Sequence, residues 1–407
     1  MSGKGAILPG VRVCGSSQSV ITGNDLHQSG VHALERGEYS QAARFFLKAL
    51  AEREQDPADL ATSSYYLGRS YSYLQDYAKA EASLTRALSM RGKILGLEHA
   101  DVATVIDELG LVYFNWHKYS QAEPLLRRGL EMRKKLLGQR HPQVAQSMVS
   151  VAGWCETQKK SAQAGKLLQE ALAIQETALG SEHLELAPTF GLLAVHALNQ
   201  HDLLTAEKCA RRSLALRESY LHNDHPDVAV TLHIIAMIEL RKGNFASAER
   251  AYRRALMIRE RTLPPGHSGI SSVLKHLGVT YYCQNKFAEA EEVYTQLEGI
   301  SEIGANTPDL LTAWRQRSWL KLRAGKLDEC QSFTVGALKR MKELGVYDKK
   351  TNESLMLSLF SCYLAQKKYL LAAKTLPGTA LAVGRKLWHN KNAKYGKMRR
   401  EFSHSCF

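Results

Sequence analysis

Residues 118–145 read KYSQAEPLLRRGLEMRKKLLGQRHPQVA, and this stretch decides the fold. From about Ser120, Ala122, Leu125, Leu126, Leu130, Leu136 and Leu137 fall at roughly i, i+3, i+4, i+7, the apolar stripe of an amphipathic helix. Gly138 is expected to end that helix as a left-handed C-cap, a conformation that costs glycine no Cβ clash. In His141-Pro142 the proline suits the first position of a new helix, where its missing N–H would lack an intrahelical partner anyway. The histidine then sits near the N-cap. The stretch therefore predicts helix, tight connector, helix.

Working outward, the same connector recurs. Leu95-Gly96 and Leu179-Gly180 end neighbouring helices, and His225-Pro226 opens another. His99, His141, His183, His225 and His267 follow one another at a step of 42 residues, as do Ala80, Ala122, Ala164, Ala206, Ala248 and Ala290. Tyr77, Tyr119, Leu203, Phe245 and Phe287 keep that register, broken only by Ser161. In the copy from Ala103, Val105, Leu109, Gly110 and Tyr113 mark a first helix, and Asn115 to Lys118 form a turn before the second. Small residues recur where the two helices must approach closely: Gly30, Gly68, Gly110, Ala152, Ala194, Ala236 and Gly278. A helix pair copied at a fixed step cannot bury its apolar face alone, so the copies stack into an all-α solenoid.

The leucine-small-x-x-aromatic series of Leu67-Gly68 with Tyr71, Leu109-Gly110 with Tyr113, and Leu277-Gly278 with Tyr281 has an alanine twelve residues after each small position. It resembles the tetratricopeptide-repeat family from about Gly23 to Ala380. The resemblance implies a right-handed superhelical solenoid of helix-turn-helix repeats, about nine in residues 23–380, starting near 23, 61, 103, 145, 187, 229, 271, 311 and 353. Residues 1–22, with only Lys4 and Arg12 charged, are expected to form a flexible leader. Residues 381–407 are expected to form a capping helix and a basic tail that includes Lys391, Lys394, Lys397, Arg399 and Arg400.

Ordinary repeats of this family are about 34 residues long, and the longer step is similar to that of kinesin light chains. The Leu-Gly-x-x-His-Pro-x-Val-Ala connector and Ala255 to Glu260 carry that likeness. Two features depart from it. No heptad coiled coil precedes residue 23, and the family's groove-lining asparagine pair is replaced by Tyr65-Tyr66, Asp107-Glu108, Val149-Ser150, Gly191-Leu192, His233-Ile234 and Lys275-His276.

Function follows from the groove such a solenoid makes. First helices are expected to line the concave side, with Tyr65, Arg69, Asp107, His233 and Met237 facing inward, then Lys275, Tyr282, Arg315 and Trp319. Between them Leu111, Val149, Val195 and Leu198 make the middle apolar, while the C-terminal half is basic. This groove suits a protein or peptide ligand with hydrophobic anchors and acidic flanks. The leading reading is a protein-interaction scaffold or adaptor. The resemblance offers a narrower one, a kinesin-light-chain-like cargo adaptor in microtubule transport whose partners would be a kinesin heavy chain or microtubules. A third draws on two stripes of the second helices, Lys48, Arg86, Arg128, Arg212 and Arg254, and Arg53, Arg91, Arg133, Arg217 and Arg259, as a surface for nucleic acid or an acidic filament. Stacking aromatics do not interleave with these stripes, which weighs against nucleic acid.

Composition is consistent with capture of acidic partners: the formal net charge is +14 and the pI near 9.4, which attracts anionic surfaces before any specific contact forms. No run of eighteen apolar residues predicts a membrane span. The seven cysteines are scattered singly with no C-x-x-C pair, so neither a disulfide framework nor a thiolate metal site is expected. The five periodic histidines lie in different repeats and cannot converge on one ion. Phosphate-binding glycine loops, H-E-x-x-H and serine-elbow motifs are all missing. The chain is therefore expected to be no enzyme, to need no cofactor or metal, and to reside in the cytoplasm, with cytoskeletal association under the transport reading.

Overall fold

A computed structural model describes residues 22–52, 56–304 and 306–368, with residues 371 and 375. The chain forms helix pairs: α1 (Gly23–Glu35) with α2 (Tyr39–Glu52), α3 (Pro57–Tyr73) with α4 (Tyr77–Leu95), α5 (Ala100–Asn115) with α6 (Tyr119–Leu137), and α7 (Pro142–Thr157) with α8 (Ser161–Leu179). They continue as α9 (Leu186–Asn199) with α10 (Leu203–Tyr220), α11 (Pro226–Lys242) with α12 (Phe245–Thr262), α13 (Ser268–Cys283) with α14 (Phe287–Ile303), and α15 (Thr307–Arg323) with α16 (Leu327–Glu343). α17 (Lys349–Ala365) follows. Among the described residues there is no strand. The expected leader up to residue 21, the capping helix, the basic tail and Arg53 lie outside the described residues.

Each helix packs on the next, and successive odd-numbered helices also touch one another, whereas even-numbered ones lack comparable contact. The array therefore curves with its first helices inward. Close approach within a pair is made at the small residues: a Cβ on Gly68 would come 2.6 Å from Leu84, on Gly110 2.7 Å from Leu126, and on Gly278 2.5 Å from Tyr294. Ala80, Ala122, Ala164, Ala206, Ala248 and Ala290 have no exposed surface.

The turn inside each pair puts one residue in the left-handed region. Gly37, Gly243 and Gly325 occupy it, but so do Gln75, His117, Lys159, His201, Asn285 and Lys367, with φ of 57–62°. Gly138 departs from its expected left-handed cap. Its φ of 83° pairs with ψ of 156°, and Gly96 and Gly180 do the same. This mirror image of the extended conformation is open essentially to glycine alone, and it swings the chain out into the connector.

The joint between repeats explains two of the periodic positions. Each connector histidine accepts, at Nδ1, the backbone N–H two residues later: Asp101 to His99 (3.1 Å), Gln143 to His141 (3.2 Å), Glu185 to His183 (3.2 Å), Asp227 to His225 (3.1 Å) and Gly269 to His267 (2.9 Å). The arginine of the preceding second helix donates to the carbonyl of that same residue: Arg91 to Asp101 (3.0 Å), Arg133 to Gln143 (3.1 Å), Arg217 to Asp227 (2.6 Å) and Arg259 to Gly269 (2.5 Å). The backbone of one residue is thus held at both its N–H and its carbonyl. The joint between α8 and α9 differs, because Gln175 replaces arginine and donates to Glu185 (3.2 Å). These contacts correct the reading of the second arginine stripe as a surface for nucleic acid or filaments. Arg133 is 2% and Arg217 7% exposed, and Arg91 and Arg259 are partly buried; at these four joints the arginine serves the connector rather than the solvent. In the first stripe Arg86 and Arg128 are exposed, while Arg212 pairs with Glu182 (2.5 Å) and Arg254 with Glu218 (2.9 Å).

Candidate peptide-binding groove

The accessible stripe on α3 runs through Thr62, Tyr66, Arg69 and Tyr73, and on α5 through Thr104, Glu108, Leu111 and Asn115. It continues at Ser150 and Gly153 on α7, Leu192 and Val195 on α9, Met237 on α11, and Arg315 and Trp319 on α15. In the dipeptides that replace the asparagine pair, the second residue faces the groove on the N-terminal copies. The first is spent on packing, so the expected inward set is one residue out of register at several places.

Four expected groove residues are accordingly withdrawn from the surface, one of them Leu198 at 1% exposed. Tyr65 is 8% exposed, its hydroxyl 3.4 Å from Glu108 and its ring beneath the Arg91 guanidinium at 4.8 Å. Asp107 is 4% exposed and accepts from Arg133 (2.8 Å) and Ser147 (2.6 Å). Burial pushes its carboxyl up to about 6, against the pull of the Arg133 guanidinium and the Ser147 hydroxyl. His233 is 9% exposed, edge-on to Tyr252 and His276 at 5.4 and 5.0 Å. Burial, then the neighbouring His276, Arg259 and Lys275, hold it well below the ordinary imidazole range.

The others remain on the groove. Arg69 is half-buried and pairs with Glu108 at 3.3 Å. Met237 packs along the wall between α9 and α13. The indole N–H of Trp319 points to the Tyr282 hydroxyl at 3.5 Å, joining α15 to α13. Lys275 and Arg315 open into one cleft of about 630 Å³ between α13, α14, α15 and the start of α17. Its apolar lining includes Val279, Leu311 and Val346, with Tyr294 and Pro308 beside them.

The cleft's charge is arranged unevenly. Lys275 is bound by the buried Asp309 at 2.6 Å, so it is partly a structural cation. Arg315 makes no side-chain hydrogen bond or ion pair with any described residue, and Lys350 is exposed at the opposite rim. Asp348 is the one acidic residue in the lining. Its carboxyl is held below the usual range by hydrogen bonds from Thr351, then by Arg315 and Lys350. A ligand carboxylate placed here would meet two cations with few internal commitments. Lys350, Val346 and Asp348 were missed by the sequence reading because they precede or begin α17 and lie outside the inward positions of any single copy.

Elsewhere among the described residues, the grouping of Glu156, Ser161 and His196 does not form a triad. Glu156 and Ser161 both lie on Nδ1 of His196, at 2.5 and 3.5 Å, whereas a triad needs carboxylate and hydroxyl on opposite ring nitrogens. Among the described residues no group of three or more His, Cys, Asp or Glu side chains is placed to hold a metal ion. No described helix is long and apolar enough to cross a membrane.

Comparison with known proteins adds the family. The tetratricopeptide-repeat profile matches residues 59–135, 143–219, 185–261 and 227–302. No curated protein gives a significant match. Among solved structures, BtubC (BKLC) of P. vanneervenii is 20% identical over 58% of this chain and 91% of its own, with a TM-score of 0.41. A putative kinesin light chain of Podospora anserina with nearly identical TPR-like repeats is 22% identical over 51% and 98%, with a TM-score of 0.38. The STAND signal-transduction ATPase with a tetratricopeptide-repeat sensor from Pyrococcus horikoshii is 13% identical over 87% of this chain and 54% of its own. At a TM-score of 0.60 it shares the fold. With the profile matched over more than half of its length and helix pairs running from α1 to α16, the chain belongs to the tetratricopeptide-repeat family.

Proposed function

We propose that this protein is an interaction scaffold that captures an acidic segment of another protein, bearing an apolar anchor, in the cleft between α13, α15 and α17. Family membership supports the scaffold role in general. The observation that carries the specific reading is Arg315, a cation without an internal hydrogen bond or ion pair among the described residues, above an apolar floor of Val279 and Leu311 and across from Lys350. Such a cation can bind a carboxylate without first breaking an internal hydrogen bond or ion pair. The apolar floor supplies an anchor pocket.

The test is Arg315→Glu, Lys350→Glu, which spares the Lys275–Asp309 pair. Affinity capture and fluorescence titration with an acidic, leucine-containing peptide should show wild-type binding and at least a tenfold loss in the variant, about 1.4 kcal/mol or more. Equal binding by both proteins would remove the cleft from the reading. The narrower reading, a kinesin-light-chain-like cargo adaptor, draws on the 42-residue step and the Leu-Gly to His-Pro connector. Co-precipitation of the full-length chain with a kinesin heavy chain tests it, and absence of binding sinks it.

A further inference from the structure

The five connector histidines do the same work at Nδ1, but two of them do something more. An imidazole whose Nδ1 accepts an N–H carries its own proton on Nε2, and so offers a donor there. For His99, His141 and His183 no hydrogen bond from Nε2 reaches a described residue. Nε2 of His225 lies 3.0 Å from the carbonyl of Glu35, and Nε2 of His267 lies 3.0 Å from the carbonyl of Tyr73. The acceptors belong to the last turns of α1 and α3, where helix carbonyls have no intrahelical partner. Each contact spans five repeats.

The seam has more than these two bonds. His222 Nε2 is 3.1 Å from the Arg36 carbonyl. Gln75 donates to the Ser268 hydroxyl at 2.6 Å and accepts the Ser268 N–H at 3.1 Å. Pro226 packs over Gly37 so closely that a Cβ there would meet its ring at 2.3 Å. Leu263 lies against the apolar cluster of the first repeat as well as that of its own. The turns of the first two pairs therefore rest on the starts of α11 and α13.

We propose that His225 and His267 form a latch that holds one turn of the superhelix on the next, and that protonating them releases it and opens the concave surface. Protonation must occur at Nδ1, which then turns from acceptor to donor and faces the N–H of Asp227 or Gly269. The cap is lost and the ring is driven from its seat. Around His225 stand Asp227, His222 and Arg217, with Glu35, Arg36 and Glu38 on the opposing turn; around His267 stand Arg259 and, opposite, Tyr73. Burial lowers both imidazoles below their ordinary value, Asp227 alone among the near side chains opposing it at His225. A depressed folded-state value means that the latch is whole above the unfolded value of about 6.5 and is lost as pH falls below it through the lowered folded-state value.

Small-angle X-ray scattering of the full chain tests the device. His225→Asn, His267→Asn keeps a side-chain oxygen for the cap but cannot reach across the seam. At pH 8 this variant should show a larger radius of gyration and maximum dimension than wild type, and wild type at pH 5 should move the same way. His141→Asn, which touches no seam, should match wild type at pH 8. Gln75→Asn shortens the opposing side without altering either histidine and should expand the particle too, with unchanged helical circular dichroism. Superimposable scattering of wild type and both seam variants at pH 8 would overturn the latch. Wild-type dimensions unchanged down to pH 5 would overturn its release by protons.

Discussion

Replacing Arg133 by methionine tests the joint at its most buried copy. The guanidinium donates to Asp107 (2.8 Å), Ser147 (2.8 Å), the Gln143 carbonyl (3.1 Å) and Thr104 (3.1 Å). Methionine keeps most of the stem volume but leaves the Asp107 carboxylate buried with Ser147 alone, a loss of about 3–5 kcal/mol for breaking such a pair. The deficit should depend on pH. A carboxyl whose folded-state value of about 6 exceeds its reference of 3.8 contributes stability that is complete below 3.8 and is lost as pH rises through 6. Without Arg133 that value climbs further, so the variant falls away from wild type most steeply between pH 6 and 8. Near pH 5 only hydrogen bonds to a neutral carboxyl are missing, about 0.5–1.5 kcal/mol each. Repeat arrays need not unfold in one step, so hydrogen exchange over α5 to α7 is the primary readout, with urea melts beside it. Asp107→Leu, Arg133→Met should recover most of the loss, because a buried ion pair exchanged for apolar side chains is often neutral. Wild-type protection in the single variant at pH 8, or a deficit that ignores pH, would refute this account.

Further outcomes are expected at other sites. Ala122→Trp should lower the melting temperature, since Ala122 has no exposed surface and overpacking costs ~1–3 kcal/mol or more; an unchanged melt would defeat the packing assignment. Lys159→Gly should raise the urea midpoint slightly. Lys159 is exposed at φ 57°, and relief of ~1–2 kcal/mol of left-handed strain exceeds glycine's ~0.5–1 kcal/mol entropic cost; a lower midpoint would show that the strain is small. Charge reversal at Arg315 and Lys350 should weaken acidic-peptide binding at least tenfold without moving the melt, and the seam variants should lengthen the particle, each by the measurements given above.

The architecture was legible because the 42-residue step acts on residue types with narrow tolerances. Gly68, Gly110 and Ala122 sit where a larger side chain would collide, and Gly96 and Gly138 where other residues would strain. The groove was only partly legible. The sequence separates Asp107 from Glu108 by one position, about 100° around a helix, and periodicity alone did not fix which member points inward. Both are acidic, and only the location of Arg133, one helix away, shows which is spent in the joint. The arginine stripe was misread for the same reason: a periodic charge looks like a solvated face until its buried carbonyl partner is seen. The seam between turns was beyond local pattern altogether, because Glu35 and His225 meet only through the accumulated curvature of five repeats.

The joint between α8 and α9 carries a mechanical consequence. Four joints are riveted by a guanidinium, and this one is held by the neutral Gln175 amide with Thr189 at its back. Under torsion or tension a row of equal couplings shares the load, but a row with one softer coupling concentrates its deflection there. Once the seam is released, the coil should therefore flex as two stiffer arcs, residues 56–179 and 186–304, about a more compliant joint at residues 180–185.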